Sequence, residues 1–222
     1  MLKRFGFLLA GLMLAPLSHA VDAPAAGAKA AWEEGKNYFL VEPPQPTSGD
    51  KVEVLEVFSY ACPHCAHFQP YADQIKQSLP AYAKFDYMPA IFTPQWEPYA
   101  RAYYAAQSLG ILDQTHQALF DALHRDRVPL RTIDDIASFF AQRGTDRAKF
   151  LSAASSFETE SKLSHAREVV KDTAVDGTPS IIVAGKYRVT GASAGGYPQV
   201  VELVDFLVKK EHGASTTAVK KK

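Results

Sequence analysis

The chain has two cysteines, Cys62 and Cys65, and they stand where one backbone periodicity gives way to another. Before them, KVEVLEVFSY (51–60) is β-branched and aromatic, which predicts a strand. After them, HCAHFQPYADQIKQSL (64–79) is compatible with a helix. Pro63 suits the first helical position, where its missing N–H is not needed. Pro70 is expected to kink or divide this helix. A strand that hands over to a helix this abruptly places the two thiols one turn apart on one helix face.

The rest of the chain sorts by the same periodicities. YFLV (38–41) is a short strand, followed by the turn-rich PPQPTSGD (43–50). KFDYMPAIF (84–92) is a further strand, interrupted at Pro89. From Trp96 to about Thr173 the helical period dominates. Leu112, His116, Leu119, Phe120 and Leu123 form one core-facing stripe; Ile133, Ile136, Ala137 and Phe140 form another, capped by Thr132 and ended by Gly144. A helix is expected over 145–155, and a further one through Leu163, Ala166 and Val170 to Gly177. Strands return at Ser180–Val183 and Tyr187–Thr190 around Ala184-Gly185-Lys186, a hairpin signal. An amphipathic helix over 197–210 closes the pattern, and the polar tail GASTTAVKKK (213–222) is expected to be unstructured. The order β-α-β, several helices, then β-β-α predicts an α+β fold with a sheet interrupted by a helical segment.

The first twenty residues have the layout of a cleaved secretory signal. Lys3 and Arg4 precede an apolar run of 13 residues, and Ser18-His19-Ala20 offers small residues before the break. That run is too short to cross about 30 Å of hydrocarbon as a helix. Cleavage after Ala20 leaves 202 residues with 22 basic and 24 acidic side chains, a balance that points to neither nucleic acid nor a membrane surface. Export bears on the thiols, because disulfides persist outside the cytosol. A structural disulfide stabilises mainly by closing a long loop, so two exported cysteines three apart are poor reinforcement.

At the start of a helix, Cys62 faces unpaired amides and the positive end of the dipole. That favours a thiolate by about 0.3–2 kcal/mol, up to about 1.5 pKa units at about 1.4 kcal/mol each. His64 is placed to supply a further donor or cation. A stabilised Cys62 thiolate stabilises the reduced pair, so the disulfide passes readily to another protein. Cys65, one turn inside the helix, is expected to be less exposed and to act as the resolving thiol. Haem attachment requires histidine directly after the second cysteine, but Ala66 stands there and His67 is one residue late. Zinc on Cys62, Cys65 and His67 lacks a fourth ligand at ligand spacing. The sequence calls for no cofactor and no metal.

EVLEVFSYACPHC (53–65) together with GTPSIIVAGKYRVTG (177–191) closely resembles the periplasmic thiol:disulfide interchange proteins of the DsbA type, on the thioredoxin fold. The resemblance covers essentially the whole chain after the signal. It implies a mixed central sheet flanked by helices, with residues 21–94 and 177–211 forming a thioredoxin-like domain, 95–176 an inserted all-helical domain and 212–222 a disordered tail. It implies that Cys62 and Cys65 form the redox-active disulfide, with Pro63 and His64 as the motif's central dipeptide. Pro179 matches a cis-proline facing that disulfide, where the Thr178 backbone pairs with a substrate segment by strand addition. Thr178 departs from the valine frequent at this position in the oxidases. Glu56 matches a buried acid whose pKa rises by desolvation and which relays the proton of Cys65. Lys84 is a candidate partner of that acid. Tyr60, His64, Thr178 and Pro179 are expected to line the substrate surface.

The activity so implied is a periplasmic, monomeric dithiol oxidase acting on reduced, unfolded exported polypeptides and reoxidised by a membrane partner of the DsbB type. An isomerase or reductase of the same fold is the first alternative. Such isomerases usually carry an N-terminal dimerisation module, and only about 40 residues, many loop-like, precede the strand here. A redox-inert chaperone using the same groove is a second alternative, and a metal-binding domain a third.

Overall fold

The computed structural model describes residues 32–47 and 49–219. The expected signal segment lies outside the described residues. Five strands form one sheet in the order β1-β5-β4-β2-β3. They are β1 (Phe39–Leu40), β2 (Val52–Phe58), β3 (Ala83–Pro89), β4 (Ser180–Val183) and β5 (Tyr187–Thr190). β2 and β3 run parallel, joined through helix α1 (Pro63–Ser78); all other pairs are antiparallel. The alternation of β-branched residues that predicted β2, β4 and β5 thus places them at the centre of a mixed sheet.

Between β3 and β4 the chain is helical, as its periodicity predicts. After a short 3-10 turn at Pro94–Trp96 come α2 (Glu97–Ser108), α3 (Leu112–Phe120), α4 (Ile133–Ala141), α5 (Arg147–Ala154) and α6 (Phe157–Asp172). α3 continues into a π-helical turn, Asp121–Arg125. Thr132 caps α4 with a reciprocal capping box to Asp135. α6 stops at Asp172, short of the expected Gly177, because the chain leaves it through Ala174 at φ +50°. After β5, a short helix α7 (Gly191–Ala194) leads to α8 (Tyr197–Val219).

Two buried clusters flank the sheet. Under α1 and α8, Val54, Phe68, Ile75, Ile181, Leu203, Val204 and Leu207 pack together. On the helical insertion's side, Val57, Phe58, Met88, Leu119, Phe120, Ile136, Phe140 and Leu163 pack together, and Cys62 and Cys65 belong to this cluster. In the β4–β5 hairpin Gly185 has φ +63°, and a Cβ there would come within 2.2 Å of the Gln45 carbonyl. Only glycine lets this turn accept the adjoining segment so closely.

Two expectations are corrected. The division allowed for at Pro70 does not occur: α1 is one helix from Pro63 to Ser78, and Pro70 removes one backbone hydrogen bond within it. The tail expected to be unstructured from residue 212 is helical to Val219. Tertiary contacts hold its base. The Glu211 carboxylate accepts from the Tyr187 hydroxyl at 2.7 Å and pairs with Lys186. The His212 ring stacks on Tyr82 with centroids 3.7 Å apart.

Candidate active site

β2 delivers the chain to a turn in which the Cys62 N–H donates to the Ser59 carbonyl at 3.1 Å. Cys62 is the N-cap of α1 and Pro63 its first residue, as the sequence predicts. Both cysteines are free thiols and buried, Cys65 completely and Cys62 to 7% exposure. His64 lies on the surface beside them.

Pro179 follows a cis peptide bond, and the neighbouring Thr178 carbonyl accepts a hydrogen bond from the Cys62 thiol at 3.3 Å. A second cis bond, Glu42–Pro43, lies away from the pair in sequence and was not foreseen. Beside Cys62 a shallow groove is lined by His64, Asp176, Thr178, Pro179, Gly191 and Tyr197. The Tyr197 hydroxyl donates to the His64 carbonyl at 3.4 Å. A Cβ on Gly191 would lie 2.7 Å from the Tyr197 ring, so the glycine lets that ring form the groove's wall.

The two thiols are electrically unlike. The Cys62 pKa falls to about 5. The main cause is a hydrogen bond from the Cys65 thiol, opposed by burial. The neighbouring Thr178 side chain adds to the fall, as do the amides of Cys65 and His64. The helix N-terminus thus contributes as expected, but His64 acts through its backbone amide. Cys65 moves the other way: burial pushes its thiol far above the ordinary range, helped by the bond to Cys62 and the field of Glu56.

Glu56 sits on β2 with no exposed surface, and neither carboxylate oxygen has a hydrogen-bond partner among the described residues. Burial pushes its pKa up to about 8, against the attraction of Lys76. Lys84, the candidate partner, instead pairs with Glu53 and Asp86, each at 2.8 Å. At neutral pH the Glu56 carboxyl is mainly protonated, and it is close enough to raise the Cys65 pKa. It is equipped to give or take a proton.

Tyr60 requires a correction. It is 1% exposed and lines no surface; its hydroxyl bonds the His116 Nδ1 at 2.8 Å inside an aromatic cluster with Phe58 and Phe120. Its flanking sequence gave no sign that the helical insertion would cover it. Sequence reasoning missed three further residues. Tyr87 is registered opposite Glu56 on β3 and donates to Gln69 at 3.2 Å. Gln69, one turn beyond Cys65, is a polar residue on a buried helix face, a signal visible in the sequence. Tyr197 carried no signal. Among the described residues no three His, Cys, Asp or Glu side chains are grouped so as to hold a metal ion.

Comparison with known proteins agrees with this geometry. The family description "DSBA-like thioredoxin domain" matches residues 87–195. The thiol:disulfide interchange protein DsbA of Pseudomonas aeruginosa is 36% identical over 182 residues, 82% of this chain and 86% of the relative. That of Burkholderia cepacia is 34% identical over 188 residues, 84% of this chain and 89% of the relative. The crystal structure of P. aeruginosa DsbA superposes with a TM-score of 0.80 at 35% identity, covering 83% of this chain and 97% of that one. With its Cys-Pro-His-Cys helix start and the facing Thr178-Pro179 carried on the same fold over most of its length, the chain belongs to the DsbA family of thiol:disulfide interchange proteins.

Proposed function

We propose that the protein is a periplasmic dithiol oxidase that donates a Cys62–Cys65 disulfide to reduced, unfolded exported polypeptides. A client thiolate attacks the Cys62 sulfur, the Cys62–Cys65 bond breaks, and Cys65 leaves with the electron pair. The buried Cys65 cannot easily remain an anion, so it takes a proton, and Glu56 supplies it. The client's second thiolate then attacks its own sulfur in the mixed disulfide. Cys62 leaves as a thiolate, the client is oxidised by two electrons, and the enzyme is left as the dithiol. A membrane oxidase of the DsbB type returns it to the disulfide, and the protein works as a monomer. Thr178, Pro179 and His64 offer the docking edge for the client backbone.

The observation that carries this reading is the asymmetry of the pair. An acidic Cys62 is a good leaving group and stabilises the reduced product, so the disulfide flows outward. Titrating the ultraviolet absorbance of the Cys62 thiolate tests it. The expected midpoint is about 5; a midpoint near the ordinary thiol value of about 8.5 would contradict the reading.

A further inference from the structure

The turn that launches Cys62 is held from the helical insertion. Its central peptide joins Tyr60 to Ala61, the middle residues of the Ser59–Cys62 turn. The two ends of that peptide are both occupied. The Tyr60 carbonyl accepts from Nε2 of His124 at 2.7 Å, and the Ala61 N–H donates to the Ser59 Oγ at 3.1 Å. Rotation of this one peptide is what distinguishes the common turn types. Tyr60 is also anchored by its side chain to His116, so two histidines eight positions apart grip one residue.

Regular helical geometry does not bring those histidines together. Eight residues at 3.6 per turn leave their positions about 80° apart around the axis. The π-helical turn Asp121–Arg125, in which the Asp126 N–H reaches back five residues to the Asp121 carbonyl at 2.9 Å, takes back part of that rotation. A π turn is rare and is frequently found at functional sites. Here it delivers the His124 ring to the Tyr60 carbonyl, two residues before the sulfur that the client attacks.

We propose that His124 is a positioning residue for disulfide transfer: its bond to the Tyr60 carbonyl fixes the turn that sets the Cys62 sulfur against the first amides of α1 and Thr178. His124 touches no reacting atom. Its bond is to a carbonyl, so Nε2 must carry a proton and donate. When this donor is removed, the Tyr60–Ala61 peptide keeps only its Ser59 anchor. The sulfur then samples positions away from the amides that favour its anion.

The inference rests on the disulfide-transfer reading of the pair. Its test is the Cys62 thiolate titration and the glutathione redox equilibrium in the full chain, for wild type, His124→Ala, His124→Gln and Ser59→Ala. His124→Ala is expected to raise the thiolate midpoint by about half a unit to one unit. The disulfide should become less oxidising by up to about tenfold in the equilibrium constant. The glutamine variant, which keeps an N–H donor, should lie closer to wild type. Ser59→Ala, which frees the other end of the peptide, should shift in the same direction, and it carries the test if His124→Ala does not fold. An unchanged midpoint in the folded variants overturns the proposal. So does an equal shift in the alanine and glutamine variants, which would assign the effect to the ring and not to its hydrogen bond. If wild type itself titrates as an ordinary thiol, the functional reading fails; if only the variants fail to move, that reading stands without His124.

Discussion

Two buried glutamates have opposite surroundings. Glu211, at the base of the last turns of α8, is 6% exposed and satisfied twice, by Lys186 and the Tyr187 hydroxyl. Glu56, beneath the cysteine pair, is fully buried and has no hydrogen-bond partner among the described residues. A buried carboxylate without a partner costs several kcal/mol unless it takes up a proton. The first arrangement ties the C-terminal helix to the sheet. The second destabilises the fold and leaves a proton where Cys65 needs one. The same residue type thus serves cohesion at one site and chemistry at the other, and its partners decide which.

Substitutions can break that contrast, and Cys62→Ser should have the largest effect. It removes the atom that receives the client's attack, so disulfide transfer to a reduced peptide is abolished while the fold persists, as thiol-disulfide exchange assays and circular dichroism would show. Glu56→Gln comes next. The folded pKa of Glu56 is raised from 4.5 to about 8, so the folded state holds more protons than the unfolded state in that window. Its stability contribution is therefore lost as pH rises from 4.5 through 8. The glutamine variant should lose that slope and be more stable than wild type by up to about 4 kcal/mol at pH 8. Mixed-disulfide formation should slow by about tenfold or more, because Cys65 loses its proton donor. Denaturant titrations across pH and stopped-flow kinetics would read both. Glu211→Gln should have the smallest effect. Lys186 is partly exposed, so its pairing is worth about 0.5–1 kcal/mol, and the redox equilibrium with glutathione should not move.

What the sequence disclosed and what it withheld follow the range of the interactions. β4 and β5 were legible to the residue, because alternating apolar residues around a glycine turn are a local signal. The α4 start was legible through Thr132, whose capping partner is three residues away. The thiol pair at the helix start was legible for the same reason, since strand, proline and cysteines are contiguous. Pro179 and Glu56 were legible only through resemblance to a family. Tyr60 was misplaced because its burial depends on α3, some 55 residues further on, which no local pattern reports. His116 was placed correctly on a core stripe, yet its bond to Tyr60 was invisible, and nothing in the run 121–125 announced a π turn. The tail's polarity suggested disorder, and the contacts of Glu211 and His212 with distant residues overrode it.

The central claim is that Cys62 makes the reduced protein gain stability that the disulfide form cannot. Its folded pKa is lowered from 9.0 to about 5, so the thiol contributes stability that grows as pH rises from about 5 to 9; in the disulfide there is no such proton. The most direct measurement is the unfolding free energy of the reduced form minus that of the oxidised form, followed between pH 5 and 8. The difference should rise by about 1.4 kcal/mol per pH unit over most of that range; a flat difference would contradict the account.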